Sequence, residues 1–260
     1  MTRDAWNPAQ YERFRDERTQ PFHDLVALIR RAPGMRVVDL GCGTAELTRR
    51  LHETLAARET LAIDSSPAML ERARAQAGAG LRVEQADISA FRADAEFDLI
   101  FSNAALHWIP GHEELFRRLA GALTADGQLA VQLPANFDHP SHTVAAAVAA
   151  EEPFQSALGG APHRNVVLAP ETYAALLHAL GFRAQHVRPQ VYPHVLDAPG
   201  DVVEWVRATL LTSYERRLPA TLFSAFLDRY RERLLAELGD VRPYLFTFKR
   251  ILLWADRRSP

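Results

Sequence analysis

Strand-like runs alternate with helical segments between residues 37 and 133, and this alternation constrains the fold more than any other feature. The runs read VVDL, TLAID, LRVEQAD, FDLIFSN and QLAVQLP. Between them leucines repeat every four residues, at Leu47, Leu51 and Leu55 and again at Leu115, Leu119 and Leu123. This spacing predicts a parallel sheet with helices on both faces. In such sheets ligands bind beyond the carboxyl ends of the strands.

The rest of the chain predicts how the protein is divided. We expect an N-terminal helical segment bordering the cleft (1–30), a core (31–199) with a loop and helical excursion at about 135–168, a helical cap (200–240) and a C-terminal strand (241–260) completing the core sheet. The cap is predicted from two segments of helical character, Asp201–Leu211 and Pro219–Leu238. The stretch PANFDHPSH is interpreted as a loop.

Composition excludes several classes of protein. The formal net charge of −2 gives no global footprint for nucleic acid or anionic lipid. No apolar run approaches the ~18 residues that span a bilayer, and MTRDAWNPAQ lacks the apolar core of a signal peptide, so we expect a cytoplasmic protein. One cysteine excludes a disulfide framework, and the scattered histidines predict no metal site.

The stretch VVDLGCGTAELT runs an apolar strand into a glycine loop. Gly41 and Gly43 permit a sharp turn, but Glu46 stands where a dinucleotide fingerprint has its third glycine. Asp39 precedes the loop, and a carboxylate would repel a pyrophosphate there. The loop therefore favours a ligand with cationic groups and no phosphate, such as S-adenosylmethionine with its ammonium and sulfonium.

Acids also end the next two predicted strands. Asp64 ends TLAID, where a carboxylate can accept hydrogen bonds from ribose hydroxyls. Asp87 ends LRVEQAD, where it can accept from an adenine amino group with Ile88 beside the ring. Three acids at successive strand ends, one of them preceding the glycine loop, form a specific pattern. Cys42 is interpreted as a small residue filling the tight turn.

At these motifs the chain resembles the class I S-adenosylmethionine-dependent methyltransferases. The resemblance extends to the trans-aconitate 2-methyltransferase family, through WNPAQYERFRDERTQPF, VVDLGCG, IDSSPAML, SNAALHWIPGHEELF, VQLPANFDHPSH and FTFKRILLWA. It implies a Rossmann-like, seven-stranded, doubly wound and mostly parallel α/β sheet with a helical cap. Three features depart from the family pattern: Thr44-Ala45 replaces Pro-Gly, Arg18-Thr19-Gln20-Pro21 lacks one arginine, and the region around Arg207–Ser213 diverges.

The resemblance also implies the site residues. The expected cofactor-binding set is Asp39, Gly41, Cys42, Gly43, Asp64, Ser65, Asp87, Ile88 and Asn103. The expected substrate-binding set is Tyr11, Arg18, His107, Trp108, Asn136, His142, Arg164 and Arg250, in which the arginines match basic positions of the family.

The chemistry of such a family needs little from the protein. A carboxylate is already deprotonated at neutral pH, so its esterification requires no general base, and we expect no catalytic residue. The expected partner is a small polycarboxylic acid such as trans-aconitate, held by arginines, with no nucleic acid and no membrane, and the protein a monomer or homodimer. Nucleic-acid methylation is disfavoured because the only cysteine lies in the glycine loop and Asn103 is not followed by Pro-Pro-aromatic.

Two alternatives stay open at this point. An apolar or phenolic metabolite could be the methyl acceptor, and an aromatic-lined cleft would favour it over an arginine cluster. A cofactor-binding module without methyl transfer is the other, favoured by a cleft blocked beside the methyl position.

Overall fold

The computed structural model describes residues 15–160, 165–207 and 209–258, and for residues 15–18 the backbone alone. Its strands are β1 (Arg36–Leu40), β2 (Glu59–Asp64), β3 (Leu81–Gln85), β4 (Phe97–Asn103), β5 (Leu123–Pro134), β6 (Ala184–Leu196) and β7 (Tyr244–Asp256). They form a seven-stranded sheet in the order β3-β2-β1-β4-β5-β7-β6.

Helices connect most of these strands. They are α1 (Arg15–Val26), α2 (Glu46–Leu55), α3 (Pro67–Ala73), α4 (His112–Ala122), α5 (Pro140–Ala149), α6 (Phe154–Ala157), α7 (Pro170–Ala179), α8 (Gly200–Arg207), α9 (Leu210–Glu215) and α10 (Ala220–Leu238). Short 3₁₀ turns cover Arg74–Gln76 and Leu106–Trp108. Helices therefore form where the sequence predicts them between residues 200 and 240; their role as a cap stays a prediction.

Strand pairing confirms the predicted Rossmann-like, mostly parallel sheet. β1 pairs in parallel with β2 and β4, β2 with β3, and β4 with β5. β7 pairs antiparallel with β5, from Gln128 opposite Asp256 to Pro134 opposite Arg250. The carboxyl ends of β1 to β5 thus share one edge, the edge at which such sheets bind ligands.

The described chain divides into two compact units. The first, called the sheet unit here, comprises residues 18–135, 166–190 and 250–258. Its core packs strand side chains against helices, including Val38, Leu40, Ile100, Phe116, Leu119, Val131 and Leu253. The second, called the helical unit, is built mainly from residues 136–160, 191–207 and 209–249. Its core is aromatic, with Trp205, Tyr214, Phe226, Tyr230 and Phe246.

Two helix starts show how the sequence sets local structure. Ser66 caps α3 by accepting from the Met69 N–H at 3.3 Å, with Pro67 as the first helical residue, as its sequence predicts. The interpretation of PANFDHPSH as a loop throughout is wrong, because α5 begins inside it at Pro140. There the imidazole Nδ1 of His139 accepts from the Ser141 N–H at 3.1 Å, so a histidine supplies the cap.

Among the described residues, no helix combines the length and the apolar character that a membrane span requires.

Candidate functional site

The loop after β1 is tied to the end of β2. The N–H groups of Gly41 and Cys42 both donate to the Ile63 carbonyl, at 2.9 and 3.0 Å. Gly41 has φ +84°, and a Cβ on it would lie 2.2 Å from the Cβ of Ala105. Glycine is therefore required at 41 because the loop after β4 packs against it, a neighbour that the sequence does not reveal. This packing draws the ends of β1, β2 and β4 together.

Asp39 lies beneath this loop and is only 4% exposed. Its carboxylate accepts from the Thr48 hydroxyl on α2. Burial raises the pKa of Asp39 from 3.8 to about 7, the Thr48 hydrogen bond opposes that rise, and the nearby Asp64 carboxylate adds to it. A cationic ligand would favour the ionised form, so this buried acid suits the ammonium and sulfonium predicted from the sequence.

Asp64 organises the turn after β2. Its Oδ2 accepts from the Gly43 N–H and its Oδ1 from the Ser66 N–H, both at 2.9 Å. A carboxylate has about four lone-pair sites, so two remain for a ligand. Ser65 is exposed beside it, and so is Asp87, two residues beyond the end of β3. Ile88 is buried, with its Cδ1 3.6 Å from the Cβ position of Gly41, which brings it to the glycine loop.

Asn103 ends β4 at the same edge. Its Oδ1 is buried and has no hydrogen-bond partner within the part of the chain that is described. His107 and Trp108 follow in the 3₁₀ turn, with ring centroids 4.6 Å apart. An acceptor oxygen without a hydrogen-bond partner, at the carboxyl end of a strand, can accept a hydrogen bond from a bound ligand.

A buried chain of hydrogen bonds supports this 3₁₀ turn. The Leu168 N–H donates to the Tyr173 hydroxyl at 3.2 Å, that hydroxyl contacts Nδ1 of His112, and Nε2 of His112 lies 3.1 Å from the Leu106 carbonyl oxygen. Because the Leu106 carbonyl can only accept, the imidazole proton lies on Nε2, and Nδ1 of the neutral ring accepts from the Tyr173 hydroxyl. Burial lowers the pKa of His112, which favours this neutral tautomer.

Two more polar side chains, Gln132 and Arg250, lie on β5 and β7, the next two strands of the sheet after the strand that Asn103 ends. Arg250 on β7 is 5% exposed, and its Nη1 donates to Oε1 of Gln132 on β5 at 3.3 Å. The sequence singles out Arg250 but misses Gln132. The available signal was a polar residue near the end of the otherwise apolar run LAVQLP.

Two further predicted substrate residues, Asn136 and His142, have contacts within their own unit. Asn136 and His142 belong to the helical unit, where Asn136 Oδ1 accepts from the Lys249 N–H and His142 Nδ1 bonds Ser141 Oγ, each at 3.0 Å. These contacts give both residues structural roles, and their assignment to a substrate stays a prediction. Tyr11 and Arg164 lie outside the described residues, as does the side chain of Arg18.

Cys42 and Ala45 complete the loop. Burial raises the pKa of the Cys42 thiol, and the carboxylates of Asp39 and Asp64 add to the rise, so the thiol stays protonated and is no nucleophile. Ala45 is fully buried with φ 57°, in the left-handed region that glycine adopts freely. This conformation explains why the resembling family often has glycine at that position. In the described part of the chain, no cluster of three or more His, Cys, Asp or Glu could hold a metal ion.

The strand order, the glycine loop and the acids along one edge define an S-adenosylmethionine-dependent methyltransferase of class I. Residues 37–127 match the family model described as a methyltransferase domain. Trans-aconitate 2-methyltransferase of Deinococcus radiodurans is 44% identical, covering 97% of this chain and 98% of that protein. The enzyme of the same name from Variovorax paradoxus is 38% identical over 98% and 99%. The chain belongs to the trans-aconitate 2-methyltransferase family.

The fold agrees with a solved structure, the YcgJ protein of Bacillus subtilis. Its TM-score is 0.61 at 17% identity, and the match covers 93% of this chain and 99% of that one. This likeness supports the architecture alone.

Proposed function

We propose that the protein transfers the methyl group of S-adenosylmethionine to one carboxylate of trans-aconitate or a similar small polycarboxylic acid. The observation that carries the proposal is Arg250, a nearly buried guanidinium at the ligand-binding edge of the sheet, in a chain 44% identical to a trans-aconitate 2-methyltransferase. Several carboxylates can enter a desolvated site only when cations and donors replace their water.

The residues of the edge fit the cofactor. The glycine loop from Gly41 to Gly43 would hold its amino-acid end, and Asn103 Oδ1 can accept from the ammonium. Asp64 keeps acceptor capacity for the ribose hydroxyls, and Asp87 with Ile88 would hold the adenine. Asp39 would supply negative potential beneath the loop. When bound, the cofactor supplies an electrophilic methyl group on a sulfonium.

The protein's own part in the reaction is to bind, align and desolvate. The acceptor carboxylate is ionised at neutral pH, so no side chain needs to remove a proton. Its negative charge is lost when the ester forms, so a dry site that holds the acceptor in line favours the reaction. Arg250 would hold a second carboxylate of the acid, and bidentate pairing would select one monoester. His107 and Trp108 would border the reacting groups.

An esterification screen tests this proposal. Purified protein is incubated with methyl-labelled S-adenosylmethionine and a panel of di- and tricarboxylic acids that includes trans-aconitate, with phenolic acceptors as the comparison. The expected product is a base-labile methyl ester of a polycarboxylic acid. Labelled phenol ethers with no ester would favour the apolar or phenolic acceptor instead. Binding of S-adenosylhomocysteine without any transfer would contradict the proposal. A cytoplasmic location and a monomeric or homodimeric state stay predictions from the sequence.

A further inference from the structure

Gln132 lies fully buried near the carboxyl end of β5. It pairs in register with Asn103 on β4, and on the other side Pro134 pairs with Arg250 on β7. Side chains of paired residues, and of residues two apart on a strand, share one face of a sheet. Asn103, Gln132 and Arg250 therefore form one polar row across three strands, all within the sheet unit.

The amide of Gln132 is only half used by the protein. Its Oε1 accepts from Arg250, whereas its Nε2 has no hydrogen-bond partner among the described residues. The orientation of the amide is fixed, because a guanidinium only donates and must meet the oxygen. The two amide hydrogens then point away from Arg250. Buried donors left unmade are rare in proteins, and a bound ligand is one recognised explanation.

The row changes character from one end to the other. Asn103 ends β4, the strand beside β1 and its glycine loop, and it presents an acceptor, Oδ1, that suits the ammonium of the cofactor. Gln132 and Arg250 lie on the far side of Asn103 and present donors, which suit carboxylate oxygens. Gln132 thus occupies the border between the cofactor end and the acid end.

We propose that Gln132 determines specificity for a carboxylate acceptor: its amide N–H donates to the substrate carboxylate while its oxygen orients Arg250. This inference rests on the proposed function. Glutamine suits the position better than glutamate, which would form an ion pair with Arg250 and repel the acid. It also suits it better than an apolar residue, which would leave the guanidinium unoriented.

The strand offers a matched control in Gln128, four residues earlier on the same face. Gln128 is equally buried, but the protein uses both ends of its amide. Oε1 accepts from the Arg30 N–H and from Trp254 Nε1, both at 2.9 Å, and Nε2 donates to the Arg30 carbonyl at 2.7 Å. Gln128→Met removes an amide whose oxygen and nitrogen both bond within the protein. Gln132→Met removes an amide whose N–H group has no partner among the described residues. Both replacements roughly keep the side-chain volume.

The test compares wild type, Gln132→Met, Gln132→Glu and Gln128→Met. The ester assay gives KM and kcat for trans-aconitate, and calorimetry gives Kd for S-adenosylhomocysteine alone and for trans-aconitate in its presence. Gln132→Met should raise KM and Kd for the acid about 10- to 100-fold, the range for a hydrogen bond to a charged group. Gln132→Glu should raise them further. Both should bind S-adenosylhomocysteine within about threefold of wild type, and Gln128→Met should lower the melting temperature without raising KM.

Three results would overturn the inference. The first is a KM for the acid in Gln132→Met no higher than in Gln128→Met. The second is a parallel loss of S-adenosylhomocysteine and acid binding, which would place Gln132 with the cofactor. The third is a wild type that neither binds nor esterifies any acid, in which case the proposed function falls too. A wild type that esterifies the acid while Gln132→Met matches it refutes only the role of Gln132.

Discussion

Replacing Asp39 with asparagine should stabilise the unliganded protein at alkaline pH. The folded protein raises the pKa of this carboxyl from 3.8 to about 7. A raised folded-state pKa means that the folded chain keeps a proton that the unfolded chain releases, so stability is fully present below pH 3.8 and is lost as the pH rises to about 7. About three pKa units at ~1.4 kcal/mol each give a loss of about 4 kcal/mol. The asparagine side chain does not titrate, and its oxygen can still accept from Thr48.

Urea unfolding of wild type and Asp39→Asn, without cofactor, measures this effect. Between pH 5 and pH 8 the stability of the variant relative to wild type should rise by about 2–3 kcal/mol, since part of the loss is already complete at pH 5. Thr48→Val tests the same carboxyl from the other side: without the hydroxyl donor the pKa of Asp39 should rise further, so the loss of stability should extend to higher pH than in wild type. Parallel pH curves for wild type and Asp39→Asn would refute the reasoning.

The same substitution should weaken cofactor binding. A bound cation favours ionised Asp39, so wild type should release protons when it binds S-adenosylmethionine near pH 7, and Asp39→Asn should release fewer. Calorimetry in buffers of different ionisation enthalpy measures this release. Equal proton release would mean that the cationic groups lie away from Asp39.

Four further results are expected. Asp64→Ala should weaken S-adenosylhomocysteine binding by roughly 1–3 kcal/mol in calorimetry, the scale of lost charged hydrogen bonds, and unchanged affinity would exclude Asp64 from the cofactor site. Arg250→Lys should lower kcat/KM for the acid about tenfold or more despite its charge, because an ammonium lacks the planar fork; retained turnover would argue against bidentate binding. Ala95 is exposed with φ 47°, in the left-handed region that glycine adopts at lower cost, so Ala95→Gly should raise the free energy of unfolding in urea by about 0.5–1 kcal/mol. Ala45→Gly should raise it by less, because this variant also loses a buried methyl group. Burial lowers the folded-state pKa of His112 below 6.5, so the free energy of unfolding of the wild type should decrease as the pH falls below 6.5. The difference in the free energy of unfolding between wild type and His112→Gln should therefore become smaller there. A difference that does not change with pH would contradict a buried neutral imidazole.

Much of the fold could be predicted from local patterns in the sequence. Strands β1 to β5, the helices between them and the Ser66 cap follow from periodicity and capping chemistry, which act over a few residues. The helix start at Pro140 does not, because the capping group is the side chain of His139, outside the usual set of capping residues. The place of β7 between β5 and β6 is also beyond local pattern, since it depends on pairing across more than a hundred residues.

The candidate site, like the fold, could be predicted only in part. Asp39, Asp64 and the glycines could be singled out from the sequence because acids at successive strand ends, one of them preceding a glycine loop, form a specific combination; their roles in binding stay predictions. Their environments could not be predicted, because the closeness of Ala105 to Gly41 and the burial of Asp39 are tertiary facts. Gln132 gave only a weak signal, since an amide in a strand acquires meaning from the guanidinium that another strand brings to it.

The single lysine of the chain has a practical consequence for chemical labelling. Lys249 is the residue before Arg250, its amine pairs with Asp138, and its side chain is 37% exposed. Apart from any free α-amino group, amine-selective reagents therefore have one target. Reductive methylation with isotope-labelled formaldehyde would keep the charge and install a single lysine NMR signal next to the proposed substrate arginine. Because neighbouring residues of a strand face opposite sides of the sheet, that signal would report on β7 and on the ion pair with Asp138 rather than on direct contact with the acid.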